Sequence, residues 1–192
     1  MKSKIFSLAF IAIILSSTGY AQRTLKPHLG VNYTSVNLSG SDADITGKAG
    51  VLGGISLAFG KKFYFEPGVQ YVAKSTDVVN ALNPDLPDGN YDLTGIRVPL
   101  ALGLNLLGDD KSTITLHGFA GGAAFFVTGD NYDDHGIDIN KTNWSVFAGL
   151  GVDFWKVFLD ASYEWSLTEI SGDVEAGKTN SVYVTAGFRF SL

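Results

Sequence analysis

A two-residue rhythm limits what this chain can become. Eight segments of the 192-residue sequence alternate apolar and polar side chains. Such alternation gives a β-strand one apolar and one polar face. Beyond the leader, no apolar run reaches the roughly 20 residues that a spanning helix requires. The apolar content, 45% of the chain, must therefore lie in short strands.

The segments cover residues 28–38, 50–60, 63–75, 93–107, 112–127, 142–155, 157–168 and 181–192. In the fourth, Ile96, Val98, Leu100, Leu102, Leu104 and Leu106 alternate with Arg97 and Asn105. In the seventh, Val157, Leu159, Tyr163, Trp165 and Leu167 alternate with Asp160, Ser162, Glu164 and Ser166. The fifth is broken by Gly118, Gly121 and Gly122, which predicts a bulge or bend there. Pro67 and Pro99 each remove a ladder donor and predict bulges or irregular pairing in the third and fourth segments.

The connections alternate in length. Short ones fall at 60–62, 108–111 and 155–156, and long ones at 39–49, 76–92, 128–141 and 169–180. Strands running up and down, with tight turns at one end and long loops at the other, fit a transmembrane barrel. The predicted fold is all-β: an eight-stranded antiparallel up-and-down transmembrane β-barrel over residues 22–192, with short turns periplasmic and four long loops extracellular.

A soluble barrel shows the same period with its faces reversed. Three features favour the membrane form. The polar face carries full charges in mid-strand, the apolar face is continuous, and aromatics cluster near strand ends. Phe63, Phe65, Phe154, Trp155 and Phe190 lie at the short-turn end, and Tyr33, Trp144 and Trp165 lie nearer the loops. Aromatic girdles suit both lipid interfaces. An eight-stranded barrel is about wide enough for side chains to fill. The charges Glu66, Lys74, Arg97, Asp153, Asp160, Glu164 and Arg189 are therefore predicted to form an interior polar network. Buried charges need partners. Arg189 should meet Asp160 or a neighbouring acid toward the periplasmic end, and Arg97 should meet Glu164 toward the loops.

Residues 1–21 have the form of a cleaved signal peptide. Lys2 and Lys4 precede an apolar stretch from Ile5 to Leu15, and Gly19 and Ala21 are small residues placed for cleavage before Gln22. This implies export to the outer membrane of a Gram-negative cell. The chain has no Cys, so neither disulfides nor a lipidated cleavage-site Cys can form. The formal charge of −5 becomes more acidic once Lys2 and Lys4 are removed. That leaves no basic surface for nucleic acid.

These segments resemble the small outer-membrane β-barrel proteins of the Bacteroidetes, often labelled PorT-like. The likeness lies in the GYAQ cleavage region, Gly30-Val31-Asn32, FEPGVQYVAKS from Phe65 to Ser75, IRVPLALGLNL from Ile96 to Leu106, and the terminal GFRFSL. The resemblance implies insertion by the barrel-assembly machinery, which reads the terminal strand. Ser191 and Leu192 depart from the usual ending on Phe. Some members serve type IX secretion.

Candidate chemistry is sparse. His28, His117 and His135 are scattered, and a catalytic triad is recognised by geometry rather than by sequence. The acidic stretch 130–138 is rich in oxygen ligands but does not match a calcium loop. No cofactor or metal site is predicted. The expected partners are outer-membrane lipid and lipopolysaccharide, together with a protein or small-molecule ligand at the loops. Asp42, Asp44, Asp77, Asp85, Asp88, Asp92, Asp173 and Glu175 would repel lipopolysaccharide unless divalent cations intervene. The leading expectation is a non-enzymatic barrel with a structural or binding role. A narrow solute channel, an accessory to secretion and a lipid-modifying enzyme are the rivals.

Overall fold

The computed structural model describes residues 22–37, 45–78, 89–108, 112–130, 141–168 and 178–192. The predicted signal peptide lies outside these residues, as does most of each long connection. The strands are β1 (Arg23–Asn37), β2 (Ile45–Gly47), β3 (Ala49–Gly60), β4 (Phe63–Val78), β5 (Gly89–Leu107), β6 (Ile114–Asp130), β7 (Thr142–Phe154), β8 (Val157–Ser166), β9 (Lys178–Phe188) and β10 (Phe190–Ser191).

The sheet runs β1-β3-β4-β5-β6-β7-β8-β9 and returns to β1, with every pair antiparallel. β9 and β10 form one stave interrupted at Arg189. β1 pairs with both in a single register, through His28↔Gly187 and Leu25↔Phe190. The gap lies opposite Lys26 and Pro27. The molecule is thus the predicted eight-staved closed barrel. β2, inside the connection read as a long loop, adds a short ribbon on β4 through Ile45↔Val78 to Gly47↔Thr76.

Several local expectations need correction. The first strand begins at Arg23 rather than at residue 28. The glycines of the fifth segment make no bulge, for β6 keeps one register against β5 from Gly95↔Val127 to Asn105↔His117. The register shifts lie instead between Thr94 and Gly95 and between Asn105 and Leu107. Pro67 and Pro99 mark irregular pairing, as expected, but no register shift. The β3–β4 ladder skips from Ser56↔Gly68 to Phe59↔Phe65, and the β4–β5 ladder skips from Pro67↔Leu100 to Gln70↔Arg97.

The apolar face is outside. Leu29 is 73% exposed and Leu102 68%, and Leu100 and Val184 also face outward. Facing inward are Lys26, Asn32, Arg97, His117, Asp153 and Glu164, all buried. Water would reward the opposite arrangement. In hydrocarbon each unsatisfied backbone group costs several kcal/mol, and strands avoid that cost only in a closed ladder.

The narrow lumen fits its contents by pairing large side chains with glycines on neighbouring staves. A Cβ on Gly103 would lie 2.0 Å from the Tyr64 ring, and one on Gly149 would lie 2.5 Å from the Phe119 ring. A Cβ on Gly151 would lie 2.3 Å from His117 Nε2. Gly95, Gly103, Gly149 and Gly151 are therefore sockets for inward-pointing rings.

Gly103→Leu should destabilise the barrel by about 1–3 kcal/mol or more through overpacking. Leu100→Arg puts a charge on the lipid-facing surface and should cost about 2–4 kcal/mol. Ala101→Ser, one residue along and facing the lumen, should cost less. Equilibrium urea unfolding in detergent or lipid vesicles measures all three.

Candidate functional site

Alternation within β1, β4, β5, β6, β7, β8 and β9 delivers charged side chains to one lumen, where they form a connected column. At the short-turn end, Arg189 Nη1 donates to Asp153 Oδ2 at 2.6 Å. The same carboxylate oxygen lies 3.5 Å from His117 Nδ1, and His117 Nε2 lies 3.0 Å from Asp160 Oδ1. Asp160 Oδ2 is 3.4 Å from Lys26 Nζ, which also donates to Glu66 Oε2 at 3.1 Å. Ser56 Oγ donates to the other oxygen of Glu66 at 2.6 Å. Lys26 also sits 4.2 Å from the centre of the Phe158 ring.

A second cluster lies nearer the loops. Arg97 Nε donates to Glu164 Oε2 at 2.9 Å, and Nη2 reaches the same oxygen. Arg97 Nη1 donates to Gln70 Oε1 at 2.7 Å. That bond fixes the amide of Gln70, so its Nε2 is the donor to His28 Nε2 at 2.9 Å. His28 Nδ1 then carries the proton and donates to the Lys26 carbonyl at 2.9 Å. The chain of partners thus selects one neutral tautomer of His28. Arg97 also lies 5.0 Å from the Phe147 ring and 4.9 Å from the Tyr183 ring.

Above Arg97 an apolar cluster shares the lumen with buried Asn32, Thr34 and Ser181. Leu52, Val72, Phe125 and Tyr183 pack together, with Leu93 and Val127 against them, and Val72 is fully buried. Lys74 Nζ stands 5.0 Å from the Phe125 ring and 5.7 Å from the Tyr183 ring. Two cations thus flank the Tyr183 face, each in the geometry of a cation–π contact.

Two small cavities interrupt the column. One of about 70 Å³ lies between the Arg97 and Lys26 layers, lined by His28, Tyr64, Gln70, Phe119 and Asp160. The other, about 30 Å³, lies beneath Lys26 and is lined by Thr24, Asn105, His117 and Asp153. Asp153 Oδ1 and His117 Nδ1 are buried without a hydrogen-bond partner and both border the smaller space. Voids of this size admit water molecules rather than a solute path.

The structure brings Glu66, Asp153, Asp160 and Arg189 to the lower part of the lumen and Lys74, Arg97 and Glu164 to the upper part. Lys26, His28, Gln70, Tyr183 and His117 complete the column. Lys26 was not among the interior charges expected from sequence, because it lies two residues before the expected strand start at residue 28. His117, considered as a candidate catalyst, is 2% exposed, and the groups facing its nitrogens are two carboxylates. His135 lies outside the described residues, as does most of the acidic stretch 130–138. Among the described residues no group of three or more His, Asp or Glu could hold a metal ion.

Arg97→Ala would strand Glu164 in the lumen and should cost about 3–5 kcal/mol. The double replacement Arg97→Met with Glu164→Leu should cost less than that single one, because no charge is orphaned. Urea titrations of the two variants, followed by heat-modifiable gel mobility, give the ranking.

Residues 20–172 match the family model described as outer membrane protein beta-barrel domain. No curated protein matches the chain in sequence. Among solved structures, the outer membrane protein OprG from Pseudomonas aeruginosa superposes with a TM-score of 0.54 at 15% identity, covering 90% of this chain and 97% of that one. Neisserial surface protein A gives a TM-score of 0.54 at 16% identity, covering 88% and 97%. At these identities the likeness is one of fold.

Proposed function

The chain belongs to the outer membrane protein beta-barrel domain family, and from that premise we propose that it is a closed, non-enzymatic barrel acting through the loops on its long-connection end. The observation that carries this reading is the filled lumen. The apolar layer of Leu52, Val72, Phe125 and Tyr183 sits on the Arg97–Glu164 pair, and the Lys26–Glu66–Asp160 layer lies below. A solute channel would need all three layers to part. Breaking a buried ion pair costs several kcal/mol, too much for a resting open state.

The barrel then serves as a rigid mount. Loops held on such a scaffold are where binding usually resides. The short turns face the periplasm in this reading, and the four long connections face outward toward lipopolysaccharide and a protein or small-molecule ligand. The segments quoted above support placing the chain among PorT-like proteins of the Bacteroidetes, exported by a signal peptide cleaved before Gln22 and inserted by the barrel-assembly machinery. The placement of His117 between carboxylates, deep in the lumen, supports an architectural role over lipid hydrolysis.

In planar bilayers the purified barrel should show no steady conductance. Stable ohmic steps from the wild-type protein would replace this reading with the channel. Phe125→Ala combined with Tyr183→Ala removes much of the apolar layer and should raise the frequency of brief openings.

A further inference from the structure

The short turns form a collar whose backbones are tied to one another. Gly60 N donates to the Gln22 carbonyl at 3.0 Å, Asn105 N to Lys62 at 2.8 Å, and Trp155 N to Thr113 at 2.8 Å. Arg189 N donates to Lys156 at 2.7 Å, and Leu192 N to Arg23 at 2.8 Å. Side chains rooted on this ring therefore have defined origins at the edge of the apolar belt.

Cations gather on one arc of it. Arg23 pairs with Phe59 across β1 and β3, which places it beside Lys61 and Lys62 in the following turn. All three are exposed. Asp153, at the same end, is buried and already held by Arg189. The turn with Asp109, Asp110 and Lys111 lies outside the described residues. Adjoining the cations, Phe63 and Leu102 offer an outward apolar surface. A second element stands across the collar. Trp155 holds a left-handed φ of 55°, uncommon for a bulky residue, and keeps its ring 69% exposed. Lys156 Nζ lies 5.1 Å from that ring. An indole with a cation at the hydrocarbon edge is suited to anchoring at lipid headgroups.

We propose that the collar binds anionic glycerophospholipid, with Arg23, Lys61 and Lys62 around the headgroup phosphate and the acyl chains against Phe63 and Leu102. Trp155 and Lys156 hold the opposite side of the barrel at the same depth. The charge pattern favours this partner, because the long connections at the other end are rich in acids while the collar arc is basic. The proposal rests on the reading that the short turns face the periplasmic leaflet.

The binding test offers detergent-solubilised protein equal amounts of phosphatidylglycerol and phosphatidylcholine and counts retained lipids by native mass spectrometry. Wild type should retain phosphatidylglycerol preferentially, and each cation removed should lower that retention about fivefold. Arg23→Gln/Lys61→Gln/Lys62→Gln should abolish the preference, whereas Lys141→Gln, at the loop end, should leave it intact. Equal retention by wild type, or a preference that survives the triple change, overturns the proposal. Heat-modifiable mobility reports whether the triple variant is folded; if it is not, Lys61→Gln alone carries the test. Orientation is read separately. The chain has no native Cys, so Lys61→Cys can be probed with a membrane-impermeant maleimide. Labelling only after the outer membrane is opened supports the periplasmic leaflet. Labelling in intact cells overturns the leaflet assignment even where phosphatidylglycerol binding persists.

Discussion

Backbone hydrogen bonding without water is the constraint from which the rest of this molecule follows. A strand edge left open in hydrocarbon would expose a row of unpaired amide and carbonyl groups, each costing several kcal/mol. Joining β1 to β9 and β10 removes that edge. Closure at eight staves then fixes the bore at a width that side chains can fill. The alternation that greases the outside sends Lys26, Arg97, His117 and their carboxylate partners into the same narrow space.

Burying so many charges is tolerable because Lys26, Arg97 and Arg189 each meet an anion, while Lys74 rests on the Phe125 and Tyr183 rings. Desolvation alone would cost several kcal/mol per ion even after relaxation, and mutual attraction with good hydrogen-bond geometry offsets it. The lumen strings its polar groups in one contiguous series: Arg189, Asp153, His117, Asp160, Lys26 and Glu66, with His117 between the two aspartates. Replacing such pairs with apolar side chains can be neutral for stability. Their value here is a filled interior without a solute-wide gap.

Much of this could be read from the residues alone, because hydrocarbon enforces the two-residue period strictly. The eight staves, the outward face of Leu100 and Leu102, and the alternation of short and long connections all follow from pattern. Local geometry was harder. Gly118, Gly121 and Gly122 look like a disruption when β6 is taken by itself, yet the register there is continuous. The close approach of Gly121 to the Leu100 carbonyl appears only once β5 lies alongside. Lys26 precedes the segment read from residue 28, although Thr24, Lys26 and His28 continue the inward series. Which cation would meet which acid depends on the stagger between staves, and no single segment encodes that.

The interrupted pairing opposite Pro27 also bears on how the cylinder settles on one shear. Sliding β1 by two residues against its neighbour would keep every greasy side chain in lipid and every polar one inside. Hydrocarbon is indifferent to that error, and so is the ladder apart from its ends. Lys26 is not indifferent. Its ammonium reaches Asp160 on β8 and Glu66 on β4, on opposite sides of β1. A two-residue slip would carry its root about 7 Å along the strand and leave both acids without their counter-ion. Electrostatics inside the bore thus acts as a combination lock, admitting one alignment among several that the membrane would accept.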